Sequence, residues 1–447
     1  MLNYLWLGMV VGAVLLAGWT GRLESVTSRA LEMARVAVLE VALPLVGLMA
    51  LWLGMMRLAE RAGLMRALAS ALRPVLRRLF PDVPADHPAM GAMVLNLAAN
   101  MLGLGNAATP LGLRAMRELD KLNPVRGTAT NAMCTFLALN TGSVQLVPVT
   151  AVAVLAAQQA REPTAIVGTA LLATLCSAVT AVTSAKLLER LRWFRLPAVA
   201  PAAPGAEAGP QTAAPEVDPA EPVVPQPGPL TWWGRSLVWG LLLFFLVLWG
   251  MRVWGGGDET GMGTSGAAGW AVRALQGLSQ LAVPFLLAWF PLYAALRRVR
   301  VYEEFVTGAR EGFEVGVRII PYLVAMLVAI GMFRAAGGIE WLSRGLGPLL
   351  SLVGFPVELL PLALVRPLSG SGALGVLTEL VQTHGPDSLW ARMGATMYGS
   401  TETTFYVLAV YFGAVGVHRV RHAVWAGLIT DVVAMLVSVW LCRWVFG

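Results

Sequence analysis

The sequence predicts an all-α integral membrane protein with about nine transmembrane helices and two re-entrant helical hairpins, arranged as two inverted-topology repeats. Three observations predict it. Of 447 residues, 57% are hydrophobic and only 13% charged, with a mean hydropathy of +0.67, whereas a soluble domain carries roughly a quarter charged residues. Several apolar runs reach the roughly 20 residues a helix needs to cross hydrocarbon. Polar interruptions recur in the same order in the two halves of the chain.

Spans are expected near 4–20, 36–56, 130–157, 163–185, 236–254, 270–296, 315–333, 388–415 and 422–442, with hairpins near 88–117 and 357–380. Segments of alternating polarity, the mark of a transmembrane barrel, are absent. Trp19, Trp52, Trp254, Trp270, Trp390 and Trp440 fall at span ends, where an apolar ring with one N–H donor is at home. Segment 1–19 lacks a basic flank, and bulky Trp19 stands where cleavage needs a small residue. It reads as a retained first helix.

The net charge is +7. In a membrane protein this excess belongs to cytoplasmic loops rather than to a nucleic-acid site. In 57–80, six arginines (Arg57, Arg61, Arg66, Arg73, Arg77 and Arg78) interrupt a leucine pattern. Such an amphipathic helix either lies on an anionic cytoplasmic surface or packs on the bundle with a solvated basic face. Residues 197–230 are rich in Pro and Ala. They cannot bury a core and read as a disordered cytoplasmic linker between a first repeat, 1–196, and a second, 231–447. Cys134, Cys176 and Cys442 lack metal or redox spacing and read as small buried hydrophobes.

The repeat is visible in matched residues. Pro44, Met49, Gly54, Met55 and Arg57 match Pro321, Met326, Gly331, Met332 and Arg334, each pair 277 residues apart. Leu113, Glu118 and Leu119 match Leu374, Glu379 and Leu380, 261 apart, and the interruption at 140–145 faces 399–404, 259 apart. Arg-rich segments (57–80, 297–300, 418–422) and the acidic loop 255–266 alternate as inverted repeats require, with the N-terminus cytoplasmic and the C-terminus external. Secondary transporters built this way place their site near the midplane, at broken helices.

The candidate site residues sit at those breaks. Asn96, Asn100, Asn106 and Thr109 stud the first hairpin, where amides either bind a polar ligand or hydrogen-bond neighbouring helices. The half-helix expected from Thr109-Pro110 would point its positive end at the break. In the second hairpin, Arg366 is an expensive charge in an apolar stretch, followed by Ser369 and Ser371; Glu379 or Glu402 can pair with it, or it snorkels to the interface. The sharpest signal is Ser400, Thr401, Glu402, Thr403 and Thr404 inside a span. Hydroxyls there can replace water around an ion or solute, and the carboxylate can exchange a proton. Asn140, Thr141, Ser143 and Gln145 form the uncharged counterpart, and Asp431 is a weaker candidate in the last span.

At these residues the chain resembles a known family. The stretch 96–119, with Asn100-Met-Leu-Gly-Leu-Gly-Asn-Ala-Ala-Thr-Pro110, resembles spore maturation protein A. The stretch 365–417, with Arg366-Pro-Leu-Ser-Gly-Ser371, His384-Gly-Pro-Asp387 and Gly399-Ser-Thr-Glu-Thr-Thr-Phe-Tyr406, resembles spore maturation protein B. The resemblance implies a fusion of two usually separate inner-membrane proteins of the nucleoside-recognition, or gate, group. That group also contains parts of nucleoside transporters. Fold alone does not establish function.

Two functions remain open. One is a transporter of a small polar solute, possible as a homo-oligomer and coupled to protons or Na⁺. The other is a non-transporting scaffold or regulator of envelope or spore maturation. Catalytic motifs are absent, the four histidines lie in predicted loops, and neither a cofactor nor a metal site is expected.

Overall fold

The computed structural model describes residues 2–103, 105–194, 228–255 and 267–447. All but the last three residues of the predicted linker lie outside these, as does the acidic loop with Asp258 and Glu259. The described residues are helical, with no strand among them beyond one bridge between Thr128 and Arg419.

In order, α1 (Leu2–Thr20) leads to α2 (Leu23–Val36) and, through a π turn over Ala37–Ala42, to α3 (Leu43–Arg61) and α4 (Leu64–Leu79). A hairpin of α5 (Pro88–Met101) and α6 (Gly105–Lys121) follows, then two half-helices, α7 (Asn131–Thr141) and α8 (Val149–Ala157), then α9 (Ile166–Leu188). Beyond the linker come α10 (Trp232–Gly255), α11 (Ala267–Leu296), α12 (Val301–Ala335) and α13 (Gly338–Leu352). The chain closes with short α14 (Leu360–Val365), α15 (Gly370–His384), the half-helices α16 (Leu389–Ser400) and α17 (Thr404–Gly413), and α18 (Ala423–Phe446).

Among the described residues, six helices are long and apolar enough to cross a membrane, and a seventh arises if the pair bent by 108° at 344–365 counts as one. Three of the nine expected spans are not among the six: the first, 4–20, is one of the shorter apolar helices, over Trp6–Thr20, and the other two are broken. The spans expected at 130–157 and 388–415 are each split at their polar interruption, leaving pieces of 9 to 12 residues. At 1.5 Å per residue, no such piece alone crosses about 30 Å of hydrocarbon.

The backbone breaks where proline and glycine dictate. Pro44 has no N–H for the Glu40 carbonyl, so the ladder slips and Leu43 N–H donates to Val38 C=O; the orphaned Glu40 carbonyl accepts from Gln158 Nε2 at 3.5 Å. Gly63 and Gly337, at φ +83° and +88°, turn the chain out of α3 and α12 into α4 and α13.

The central contact is α3 on α12. Gly308, Gly312 and Gly316 form a stripe that lets α3 approach to backbone contact: a Cβ on Gly312 would stand 2.6 Å from Ala50 Cα and Met49 O. Gly308 meets Leu53 and Arg57, Gly312 meets Met49 and Ala50, and Gly316 meets Val46, so the helices run antiparallel. At one end Arg57 pairs with Glu304 at 2.8 Å and Glu311 at 2.6 Å, and Arg61 with Glu304 at 3.2 Å.

Several side-chain expectations are revised. In α4, Ala69 and Leu76 are buried among α5 residues while Arg66, Arg73, Arg77 and Arg78 stay exposed, so the helix packs on the bundle. Trp52 is buried rather than at an exposed span end, and Cys176 is exposed, although Cys134 and Cys442 are buried.

His422, just ahead of α18, is fully buried, and neither ring nitrogen has a partner. Burial, aided by Arg421 and Lys186, pushes its pKa down to about 4, below the unfolded value of about 6.5. The folded state therefore binds fewer protons in that window. Stability is expected to be intact above about pH 6.5 and to fall as pH drops towards 4. Unfolding midpoints against pH check this; His422→Phe should flatten the slope.

Candidate functional site

The two broken helices come together beside the α5–α6 turn and the α14–α15 turn. In the first half, α7 stops at Thr141 after Asn140, and Pro148 caps the restart of α8. In the second, Thr401 and Thr403 adopt extended backbone between α16 and α17. Peptide groups freed at such breaks need partners, and many find them in the opposing elements. Leu146 N–H donates to Met101 C=O at 3.0 Å, and Phe405 N–H to Pro367 C=O at 2.9 Å. Leu146 and Phe405 are 259 residues apart, the offset of the two polar interruptions. Each break is thus tied by the same kind of bond within its own half, to Met101 at the end of α5 and to Pro367 between α14 and α15. Glu402 N–H crosses between halves to Thr141 C=O at 2.7 Å.

A polar chamber of about 90 Å³ lies at this junction, lined by Gln145, Thr150, Arg366, Tyr398 and Glu402 with Pro148, Ala151, Gly370 and Gly399. Gln145 Nε2 donates to Glu402 Oε1 at 2.8 Å. The Arg366 guanidinium stacks 4.4 Å over the Tyr398 ring and donates to Thr401 C=O. Tyr398 O–H donates to Gly370 C=O at 3.4 Å. Arg366 is 2% exposed, and its Nε has no partner. The arginine therefore does not snorkel. Glu379 is not its partner either: that carboxylate is held by Arg334 at 2.7 and 3.1 Å. The chamber has room for several water molecules.

A second polar cluster joins the first hairpin to α7 and α17. Asn96 Nδ2 donates to Ala108 C=O at 2.8 Å and to Tyr411 Oη at 3.2 Å. Asn100 Nδ2 donates to Asn140 Oδ1 at 2.9 Å, and Asn140 Nδ2 to Phe136 C=O at 2.9 Å. These amides bond one another, Tyr411 and the backbone, and Asn96 Oδ1 is left without a partner. The side chain of Asn106 lies outside the described residues. Thr109 is half-buried on α6, which starts at Gly105 rather than at Thr109-Pro110; Pro110 is accommodated inside the helix.

The remaining hydroxyls divide. Ser369 caps α15 by accepting from Gly372 N–H at 3.0 Å and lies 3.4 Å from Ser371. Ser400 donates to Met397 C=O and accepts from Ser438. Thr403 Oγ1 would stand 3.1 Å from a Cβ on Gly370. Thr404 Oγ1 donates to Asp431 Oδ2 at 2.6 Å. Thr141, Ser143 and Thr401 are buried with hydroxyls that have no partner. Sequence reasoning missed Tyr398 and Tyr411; the signal was a tyrosine on either side of the 399–404 run, one immediately before Gly399 and one five residues beyond Tyr406.

Among the described residues, no group of three or more His, Cys, Asp or Glu side chains is placed to hold a metal ion. A family model described as "Gate: Nucleoside recognition" matches residues 42–188 and 316–417, more than half of the chain. The chain belongs to the gate family. It is 45% identical over 170 residues to spore maturation protein B of Bacillus subtilis, covering 38% of this chain and 96% of that protein. It is 40% identical over 195 residues to spore maturation protein A of the same organism, covering 44% of this chain and 97% of that protein. An Escherichia coli inner membrane protein, YjiG, is 31% identical over 84 residues, 19% of this chain and 55% of that protein. No solved structure matches. This gate-family chain is a multi-pass membrane protein related to the spore maturation proteins.

Proposed function

We propose that this gate-family protein carries a small polar solute across the membrane through the chamber between Gln145, Arg366, Tyr398 and Glu402, as two inverted repeats fused through 197–230. The N-terminus is read as cytoplasmic, the C-terminus as external, the membrane as the bacterial inner membrane, and the chain as non-enzymatic. Support comes from the antiparallel packing of α3 on α12, whose sequences match at a constant offset. It comes also from the paired bonds from Leu146 to Met101 and from Phe405 to Pro367, and from one family model matching in two segments. The observation that carries the reading is the chamber itself, where a carboxylate, a guanidinium and an amide converge at two helix breaks. Enclosed polar groups at broken helices are where secondary transporters hold their cargo.

The chamber favours a solute with both donor and acceptor groups. Its volume of about 90 Å³ is well below the roughly 300–1,000 Å³ of drug-sized ligand sites. A nucleoside-sized cargo therefore requires the hairpin tips to part, whereas a smaller solute does not. Flux into proteoliposomes from a panel of amides, small zwitterions, polyols and nucleosides tests this. Glu402→Gln keeps the side chain's shape and removes its charge; it should lower the flux at least about tenfold. A panel with no transported solute, together with a Glu402→Gln strain indistinguishable from its parent, would favour the scaffold reading.

A further inference from the structure

A second polar centre lies beside the chamber, built around the Asp431 carboxylate. Asp431 is 1% exposed on α18. Among the described residues its only hydrogen bond comes from Thr404 Oγ1, at 2.6 Å, and Oδ1 has no partner. None of the ion pairs among the described residues involves it. Arg366 acts on it electrostatically but forms no ion pair with it: the guanidinium donates to Thr401 C=O and stacks on the Tyr398 ring, and its Nε has no partner. With no ion pair and one oxygen unbonded, a carboxylate in this setting is costly to keep ionised, and Arg366 offsets that cost only in part; a proton or a bound cation would offset the rest.

The surroundings are those of a cation site. Thr141 is fully buried and Thr401 is 2% exposed, and neither hydroxyl has a hydrogen-bond partner. The Thr401 hydroxyl faces the Asp431 carboxylate without a well-formed bond to it. The position where Gly427 would carry a Cβ is 3.4 Å from Thr404 Oγ1 and 3.6 Å from Thr141 Oγ1. Gly427 lies one helical turn before Asp431 on α18, so both hydroxyls border the patch of α18 that presents the carboxylate. A side chain there would also strike Thr404 Cγ2, at 2.6 Å. Half-helices α7 and α16 end at Thr141 and Ser400, so their negative dipole ends point towards this centre. One carboxylate with several hydroxyls and helix-end carbonyls is a hard oxygen set without the imidazole or thiolate that transition metals favour.

We infer that Asp431, Thr404, Thr401 and Thr141 form a Na⁺ site at the junction of the two broken helices, separate from the Glu402 chamber. The site deepens the transport reading by naming the coupling ion, and on that reading its purpose rests. It explains why hydroxyls from both halves, brought together from 141 and 401, are buried without partners. It also ties the two breaks to α18, so that occupancy would hold the 401–403 segment in its extended form.

The test uses the full-length chain in detergent and Na⁺ alone as the probe, at constant ionic strength in choline chloride. A ligand that binds only the folded state raises the unfolding midpoint as its concentration passes its Kd. The midpoint should rise saturably with Na⁺, and Asp431→Asn should lose that rise. Thr180→Val, an exposed hydroxyl elsewhere on α9, should keep it. If Asp431→Asn fails to fold, Thr141→Val decides: its hydroxyl makes no bond without the ion, so it should fold normally while the half-saturating Na⁺ concentration rises about tenfold, or 1.4 kcal/mol. No Na⁺ response in the parent, or an unchanged response in Thr141→Val, overturns the site and leaves a proton as the neutralising group. The readout needs no flux, so a missing Na⁺ response and a missing transport activity are separate results.

Discussion

Replacing Arg334 by alanine is expected to destabilise the protein by about 3–5 kcal/mol, because it strands a buried carboxylate. Glu379 is 3% exposed in its side chain and takes both of its strong bonds from Arg334, at 2.7 and 3.1 Å; the Thr383 hydroxyl adds one at 3.0 Å. A two-toothed guanidinium–carboxylate pair is the strongest of the ion-pair geometries. It also clamps α12 to α15. The exposed pair Arg29–Glu32, with side chains 34% and 51% exposed, provides the contrast: Arg29→Ala should change stability by about 1 kcal/mol at most. Unfolding midpoints of the two variants in detergent separate these cases. A double variant, Arg334→Leu with Glu379→Leu, should recover much of the loss, since no charge is then left buried. An Arg334→Ala variant as stable as Arg29→Ala would show that Glu379 finds another neutralising group.

Gly312→Val should disrupt the α3–α12 contact more than any other single substitution along the stripe. Its Cβ meets Ala50 Cα and Met49 O at 2.6 Å, both backbone-fixed atoms that cannot swing aside. The helices must separate, which forfeits close packing along Gly308 and Gly316 as well. A cost of about 1–3 kcal/mol or more is expected from overpacking of this kind. In a membrane interior no hydrophobic gain offsets the lost contacts. Gly345→Ala, with nothing within 4 Å of its Cβ, should instead be neutral or slightly stabilising, as helix propensity favours alanine by about 1 kcal/mol. Yield of monodisperse protein and thermal midpoint report both outcomes.

The architecture was legible wherever the physics is local. Apolar runs announce spanning helices because lipid offers no hydrogen bonds. Pro44 and Pro321, and Arg57 and Arg334, mark α3 and α12 as sequence counterparts, and the fold packs those helices against each other. The polar interruptions at 140–145 and 399–404 announced the breaks. What the sequence leaves open is long-range partnership. Arg57 and Arg334 are counterparts, yet Arg57 pairs across to Glu304 and Glu311 while Arg334 pairs with Glu379. Helix α13 is hidden by Gly338, Gly345 and Pro348, residues that ordinarily punctuate helices. Asp431 reads as one carboxylate in an apolar helix until the fold carries Thr404 and Thr141 to it from two other elements.

Everything proposed for the chamber depends on the two halves facing opposite sides of the membrane. Single cysteines at Arg78 on α4 and Trp341 on α13, both exposed, can be labelled with an impermeant thiol reagent in a background without Cys134, Cys176 and Cys442. These positions follow α3 and α12 after equivalent left-handed glycine turns. The expected result is labelling of Arg78→Cys only from the cytoplasmic side and of Trp341→Cys only from the external side. Labelling of both positions from the same side contradicts the inversion and removes the basis for a transport chamber between the repeats.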